Sequence, residues 1–207
     1  TYISEAFAQF SKTLPKDSVE LFFKETNSFR AIKNIIYEDY KLGIIRYAES
    51  YDKYFKELFE EKGLASELIA EFHYLLVMNK NSPLAALPEI HFSDLEDYIE
   101  IAHADPYVPS LSTLQVRKEE LPDNIKRRIF VFERASQFDI LSENNEAFMW
   151  VSAFPQKTLD RYGLVQRECS ENKKMYKDVL VYKNDYKLTS LDKSFITEVC
   201  NSKRKYL

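Results

Sequence analysis

Glycine is scarce in this sequence, with 3 residues among 207. The loops that cradle phosphate groups in nucleotide-binding folds require several glycines close together. Architectures that turn tightly after every short strand require them as well. The shortage argues against both, and it favours helices joined by short polar loops.

Cysteine and long apolar runs are also lacking. Cys169 and Cys200 cannot form the dense disulfide framework of a small secreted domain. The apolar runs at residues 74–78 and 147–151 are far shorter than the about 20 residues needed to cross a bilayer. The first residues lack the basic start and apolar core of a secretory signal. We therefore expect a cytoplasmic (intracellular) protein with no membrane partner.

Charge is divided unevenly along the chain. Residues 1–110 carry 11 Lys or Arg and 19 Asp or Glu, a net charge of −8. Residues 111–207 carry 18 and 14, a net charge of +4. Neither half reaches the basic density of a dedicated nucleic-acid binder. The asymmetry indicates either different partners for the two halves or attraction between them.

The first half has the spacing of amphipathic helices. A short helix is predicted at about residues 18–25, capped by Asp17 or Ser18. Over residues 29–62 apolar side chains recur at alternating spacings of four and three, which places them on one helix face. Gly63 is predicted to end that helix, because glycine readily adopts the left-handed conformation. The stripe consists of Ile44, Ala48, Tyr51, Phe55 and Leu58.

Two further helices complete this half. Residues 64–79 repeat the helical spacing, and the short connection at Gly63 predicts an antiparallel helical hairpin. Ser93 and Glu96 match a capping box that would begin the next helix. Prolines then interrupt the pattern over residues 104–122.

The second half is rich in β-branched and aromatic residues, which favours strands. A last helix is predicted after Thr189, whose hydroxyl can cap it together with Asp192. The predicted fold is α+β: antiparallel helices, a small antiparallel β-meander and a C-terminal helix. The predicted parts are 1–103, the connection 104–122, and 123–207, or one compact domain overall. The predicted strands are 128–133, 137–141, 146–154 and 179–182.

Metal and nuclease chemistry lack the residues they require. Glu100 and His103 have the Glu-x-x-His spacing of di-iron helices, but no second copy accompanies them. The carboxylates Glu133, Asp139 and Glu146 lack the paired arrangement of a nuclease centre. We therefore expect no metal and no cofactor, and catalytic residues are not identified.

Tyrosine recurs every seven residues at Tyr40, Tyr47 and Tyr54. On one long helix these side chains would form a second stripe beside the apolar one. Tyrosine is favoured at interfaces because its ring is buried while its hydroxyl stays hydrogen-bonded. The stripe predicts a surface for a protein partner or for self-association. The alternative is that both stripes are buried in a helical bundle.

Basic residues cluster in the second half near several tyrosines, a mixture that suits phosphate contacts and base stacking. Short basic clusters are also common on solvated surfaces, which is the alternative. The candidates for binding an anionic ligand or nucleic acid are Lys126, Arg127, Arg128, Lys173, Lys174, Lys203, Arg204 and Lys205.

These patterns favour a non-enzymatic protein-interaction module with an adaptor or regulatory role. The alternative is a protein that binds or processes nucleic acid through its basic C-terminal half. A third reading is an enzyme whose catalytic residues are dispersed along the chain, which one sequence does not reveal.

Overall fold

The computed structural model describes residues 1–16, 18–121, 123–132 and 134–207, with Arg134 described by its backbone. Contacts between residues group the chain into two units. Each unit is assembled from separate stretches of chain. The first contains Thr1–Phe72, Tyr107–Ser110 and Met175–Leu207, and the second contains His73–Pro106 and Leu111–Lys174.

Helices and strands alternate along most of the chain. In order they are α1 (Tyr2–Phe10), α2 (Ser28–Tyr37), β1 (Gly43–Ala48), α3 (Asp52–Glu61), β2 (Leu64–His73), β3 (Leu75–Asn79), β4 (Ile99–His103), α4 (Thr113–Glu120), β5 (Arg127–Val131), α5 (Arg134–Glu143), β6 (Ala147–Val151), α6 (Gln156–Tyr162), β7 (Leu164–Arg167), β8 (Met175–Lys183) and α7 (Ser190–Tyr206).

The first unit has a three-stranded sheet in the order β1-β8-β2, with β1 and β8 antiparallel. Helix α1 packs against α7 through the buried residues Tyr2, Ala6 and Val199. In the sheet, Arg46 lies opposite Asp178, and its Nε and Nη2 donate to the Asp178 carboxylate at 2.7 and 2.6 Å. The Tyr2 hydroxyl donates to the same carboxylate at 2.7 Å. This fully buried carboxylate ties α1 to the sheet.

The second unit has a five-stranded sheet in the order β5-β4-β6-β3-β7. Strand β4 is parallel to both β5 and β6, whereas β3 is antiparallel to β6 and β7. Alternate side chains enter different cores, as strand geometry requires. Val77 and Met149 pack in one core, and Met78 and Phe148 pack in the other. A buried sheet with an apolar core on each side therefore organises this unit.

The predicted helices of the first half are mostly wrong. No helix forms at residues 18–25 in the described part of the chain, and the predicted helix over 29–62 is divided into α2, β1 and α3. Residues 64–79 form β2 and β3. The apolar run of β3 is buried at four of its five positions, and such short runs do not distinguish a buried strand from a helix.

The predicted antiparallel meander is also wrong. Strands β4, β5 and β6 are parallel, and the helices α4 and α5 connect them. Residues 137–141, predicted as a strand, lie within α5 because Phe138 and Leu141 share the helix face that packs on the sheet. The helix expected from Ser93 is a short 3₁₀ segment followed by β4. The unit is an α/β structure.

Other predictions are confirmed. Helix α7 begins after Thr189, whose side chain accepts from the Asp192 backbone while the Asp192 carboxylate caps in return. Gly63 follows the end of α3 with φ of 62°. Strand β5 overlaps the predicted strand 128–133, β6 lies within the predicted strand 146–154, and β8 contains the predicted strand 179–182.

The predicted cap Asp17, the carboxylate Glu133 and residue 122, which ends the predicted connection, lie outside the described residues. The boundary predicted at residues 104–122 stays a prediction. Among the helices of the described residues, none combines the length and the apolar character needed to cross a bilayer.

Candidate functional site

The parallel strands of the second unit have connections that diverge at their carboxyl ends. Strand β4 connects through α4 to β5, its neighbour on one side. Strand β6 lies on the other side of β4 and connects through α6 to β7, still further away. Where neighbouring parallel strands send their connections in opposite directions, a crevice opens that commonly binds ligands. We call this place the carboxyl edge, formed by residues 103–104 and 152–154.

A buried serine and phenylalanine follow β6 at the carboxyl edge. Ser152 is fully buried and Phe154 is 5% exposed. The Phe154 backbone N–H donates to the Gln166 side-chain oxygen at 2.9 Å, which holds the segment before α6. Buried polar groups in proteins are normally hydrogen-bonded. The segment between β6 and α6 therefore carries hydrogen-bonded polar groups into the interior.

Gln137 approaches the same edge from the first turn of α5. The residue is 6% exposed, and its Nε2 lies 3.4 Å from Nδ1 of His103, at the end of β4. The amide N–H is the donor of this long hydrogen bond, so Nδ1 accepts. A buried amide with so weak a bond has capacity for a stronger one.

Arg117 reaches the other side of β4 from helix α4. Its Nη2 donates to the carbonyl oxygen of Ala104, directly after β4. Its guanidinium carbon lies 5.0 Å from the ring centroid of Phe130 on β5. Its Nε is buried without a hydrogen-bond partner. The fold thus gathers an amide, an imidazole and a guanidinium at the carboxyl edge, beside the buried hydroxyl of Ser152.

A buried ion pair joins β4 and β5 nearer to their amino ends. Glu100 lies opposite Arg128 in the parallel ladder, and Arg128 Nε donates to its carboxylate at 2.6 Å. Burial raises the pKa of Glu100 above its usual value, and the Arg128 guanidinium opposes that shift. Because the pair is satisfied internally, it is a structural feature.

The Glu-x-x-His pattern does not form a metal site. Glu100 and His103 lie on a strand, where residues three apart point to opposite faces. No group of three or more metal-ligating side chains occurs among residues that the structure describes. The arrangement at the carboxyl edge suits binding by hydrogen bonds and charge.

The three tyrosines predicted to contact a partner do not share a helix. Tyr40 precedes β1, Tyr47 lies on β1 and Tyr54 lies on α3. Tyr47 is 5% exposed, its ring stacks on Phe55 at 4.2 Å, and its hydroxyl donates to Asp52 at 3.1 Å. The stripe was wrong because the helix that defined it does not form. Whether these residues contact a partner stays a prediction.

The predicted basic residues are divided between the two units. Lys126, Arg127, Arg128, Lys173 and Lys174 belong to the second unit, whereas Lys203, Arg204 and Lys205 lie on α7 of the first.

Acidic or carbonyl groups engage several of these cations. Arg127 pairs with Glu146 at 3.1 Å and Lys174 with Glu120 at 2.7 Å. Lys203 donates to the Ile69 carbonyl oxygen at 2.6 Å. The two units carry 17 basic against 17 acidic residues, net 0, and 12 against 16, net −4. The charge asymmetry of the sequence is therefore much smaller between the folded units, and neither unit is net basic. Nucleic-acid binding stays a prediction.

An open depression of about 270 Å³ lies in the first unit. Its lining combines two lysines, an aspartate and apolar side chains, so it has no single chemical character. The lining residues are Ile36, Lys62, Gly63, Leu64, Lys183, Asn184 and Asp185.

Sequence reasoning missed Arg117, Gln137 and Ser152. Ser152 left a signal, because it is the first polar residue after the apolar run of β6. Arg117 and Gln137 left none, since their positions depend on how α4 and α5 return to the sheet.

No family model and no curated protein matches this sequence. Solved structures do match in fold. The effector-binding domain of QuiR in complex with shikimate is 21% identical, with a TM-score of 0.62 over 99% of this chain and 92% of that one. The Synechocystis CcmR regulatory domain in complex with 2-PG is 15% identical, with a TM-score of 0.64 over 97% and 90%. The regulatory domain of MetR, a LysR family regulator from N. meningitidis, is 14% identical, with a TM-score of 0.59 over 99% and 88%.

The chain has the fold of LysR-type effector-binding domains. This fold, with two α/β units, replaces the predicted α+β arrangement of a helical half and a meander. The likeness gives no support to a protein-interaction adaptor.

Proposed function

We propose that this chain is the ligand-binding part of a regulator and that it binds a small molecule at the carboxyl edge of its second unit. The observation that carries the proposal is the divergence of the β4 and β6 connections around buried polar groups. Ligands occupy such positions in open α/β sheets. The LysR-type fold supports it, since QuiR and CcmR domains of this fold are complexed with shikimate and 2-PG.

The proposed ligand meets both polar and apolar surface at this site. The Gln137 amide supplies hydrogen bonds, and the exposed face of Phe130 beside Arg117 supplies apolar area. Small-molecule sites combine such mostly apolar walls with a few convergent polar groups that fix orientation. Binding at this edge, rather than catalysis, is the role we assign to these side chains.

A thermal-shift screen of small metabolites, including shikimate, tests the proposal. At 100 times its Kd a ligand stabilises the folded state by about 2.7 kcal/mol, which is readily detected. Gln137→Leu should lower the affinity of a confirmed ligand at least about tenfold, because the amide is replaced by a hydrocarbon. Gln9→Leu in the first unit is the control and should leave the affinity unchanged.

Two results would contradict the proposal. A broad screen without a single stabilising compound would remove the binding function. A ligand that Gln137→Leu binds as tightly as the wild type does would place the site elsewhere.

We also propose self-association through β5, the edge strand of the second sheet. At and directly after this strand, Ile129 and Phe132 are 36% and 69% exposed. An edge strand offers unpaired backbone groups to a second chain, and exposed aromatic rings add apolar area.

A cytoplasmic location stays a prediction from the sequence.

A further inference from the structure

Arg117 is a half-buried arginine that forms no ion pair with any carboxylate among the described residues. An arginine side chain is always charged in proteins. Buried or partly buried charges are normally paired with opposite charges, because removing them from water is costly. The neighbouring arginine Arg128 follows that rule by pairing with Glu100. Arg117 departs from it.

The guanidinium is held in place although it lacks a counter-ion. Nη2 is fixed on the Ala104 carbonyl oxygen, and the group lies over the Phe130 ring. Nε is buried without an acceptor. The other nitrogen, Nη1, donates to no acceptor in the described part of the chain. A positioned cation thus has hydrogen-bonding capacity that the protein does not use.

This cation lies where the proposed function places the ligand, since Ala104 is part of the carboxyl edge. Arginine binds planar oxyanions through two parallel N–H donors, and such pairs are stronger than neutral hydrogen bonds. Phe130, beneath the guanidinium, is 42% exposed and offers ring surface for an apolar group.

We infer that the ligand of this chain is a small oxyanion, a carboxylate or a phosphate ester, whose charged group pairs with Arg117 and whose apolar part contacts Phe130. The inference rests on the proposed function, because it assigns a chemical class to the ligand of the same site. A neutral ligand of the same shape would leave the arginine charge uncompensated.

NMR of the 15N-labelled chain tests this directly, with the Arg117 Nε–Hε resonance as the reporter. Benzoate, inorganic phosphate and neutral benzamide are the three probes. Benzoate or phosphate should shift this resonance saturably, whereas benzamide should not. A response to benzoate alone identifies the carboxylate, and a response to phosphate alone identifies the phosphate group.

Variants separate Arg117 from general surface charge. Arg117→Met should weaken binding of the responding anion at least about tenfold. Lys118→Met removes the same charge from the next residue, which is exposed, and should change binding less than about twofold. Arg117→Lys retains the charge without the planar fork, so it should bind with intermediate affinity, and it serves if the methionine variant does not fold.

The inference is overturned if neither anion shifts the resonance up to about 50 mM, or if Arg117→Met binds the responding anion as tightly as the wild type. A neutral screening compound bound at the carboxyl edge would overturn the anion class and leave the proposed function standing. If neither the anions nor any screening compound binds, the anion class and the proposed function both fail.

Discussion

At the scale of single residues, the fully buried Asp178 carboxylate shows how polar contacts connect distant parts of the sequence. Arg46 supplies two hydrogen bonds from β1, and Tyr2 supplies a third from α1. Burial and the adjacent carboxylate raise the pKa of Tyr2, so its hydroxyl stays protonated and donates. Each donor reduces the cost of keeping this charge away from water.

Removing the Tyr2 hydroxyl should therefore destabilise the first unit. We expect Tyr2→Phe to lower the free energy of unfolding by about 1.5–3 kcal/mol, the usual value for a hydrogen bond to a charged group. Urea unfolding followed by circular dichroism measures the change. Tyr182→Phe is the matched control, because that hydroxyl donates to the exposed Glu67 and should cost less than about 1 kcal/mol. Equal losses in the two variants would contradict the role given to Tyr2.

Glu100 gives the second unit a pH dependence. Burial raises the pKa of its carboxyl above 4.5, despite the opposing Arg128. A raised pKa in the folded state means that folding favours the protonated form. The stabilisation that Glu100 provides is therefore fully present when the pH is below the pKa of this carboxyl in the unfolded chain. It is lost as the pH rises through the pKa of the carboxyl in the folded state.

A comparison with Glu100→Gln isolates this effect. The stability of the wild type relative to that variant should decrease as the pH rises from about 4 to about 7. Urea midpoints at a series of pH values provide the measurement. Glu143→Gln, at an exposed position on α5, should give a difference that changes little with pH. A wild-type advantage that grows with pH would show that Arg128 outweighs burial.

At the scale of elements, the sequence predicted those whose signals are local. Helix α7 carries its own capping pair, Thr189 and Asp192, so neighbouring residues suffice to identify its start. Gly63 is likewise a local signal, because few other residues adopt a φ of 62° without strain. Such features could be read without knowledge of the fold.

Elements whose identity depends on neighbours in space were missed. The apolar residues of β1 and α3, taken together, have the spacing of one helical face. In the fold, however, Ile45 and Tyr47 of β1 are buried alternately, as in a strand. The burial of β3 on both faces follows from the apolar cores that pack against each side of the sheet. Parallel pairing of β4 with β5 and β6 could not be predicted, because it joins residues separated by whole helices.

The edge strand β5 provides a test of self-association. Phe132→Glu places a charge on the exposed aromatic residue directly after this strand, and we expect the dissociation constant of a dimer to rise at least about tenfold. Sedimentation velocity across a concentration series measures it. Leu114→Glu changes a similarly exposed apolar residue on α4 and should have little effect. A wild type that is monomeric at every concentration would contradict the proposal.

At the scale of the whole molecule, separate stretches of chain converge in each unit. The carboxyl edge collects Ala104, Arg117, Gln137 and Ser152 from different loops and helices. No spacing in the sequence relates these residues, and only Ser152, the first polar residue after the apolar run of β6, gave a local sign of the site. The sequence instead predicted ligand binding by the basic clusters, yet Arg128 and Lys174 are paired with carboxylates in the fold.

The central claim is that a small molecule binds at the carboxyl edge of the second unit. Backbone amide shifts of the 15N-labelled full chain, titrated with the strongest compound from the metabolite screen, test it most directly. We predict saturable shifts that are largest at Ala104, at residues 152–154 and in the first turn of α5. Shifts confined to the depression around Gly63 and Asn184, or no saturable shift with any compound, would contradict it.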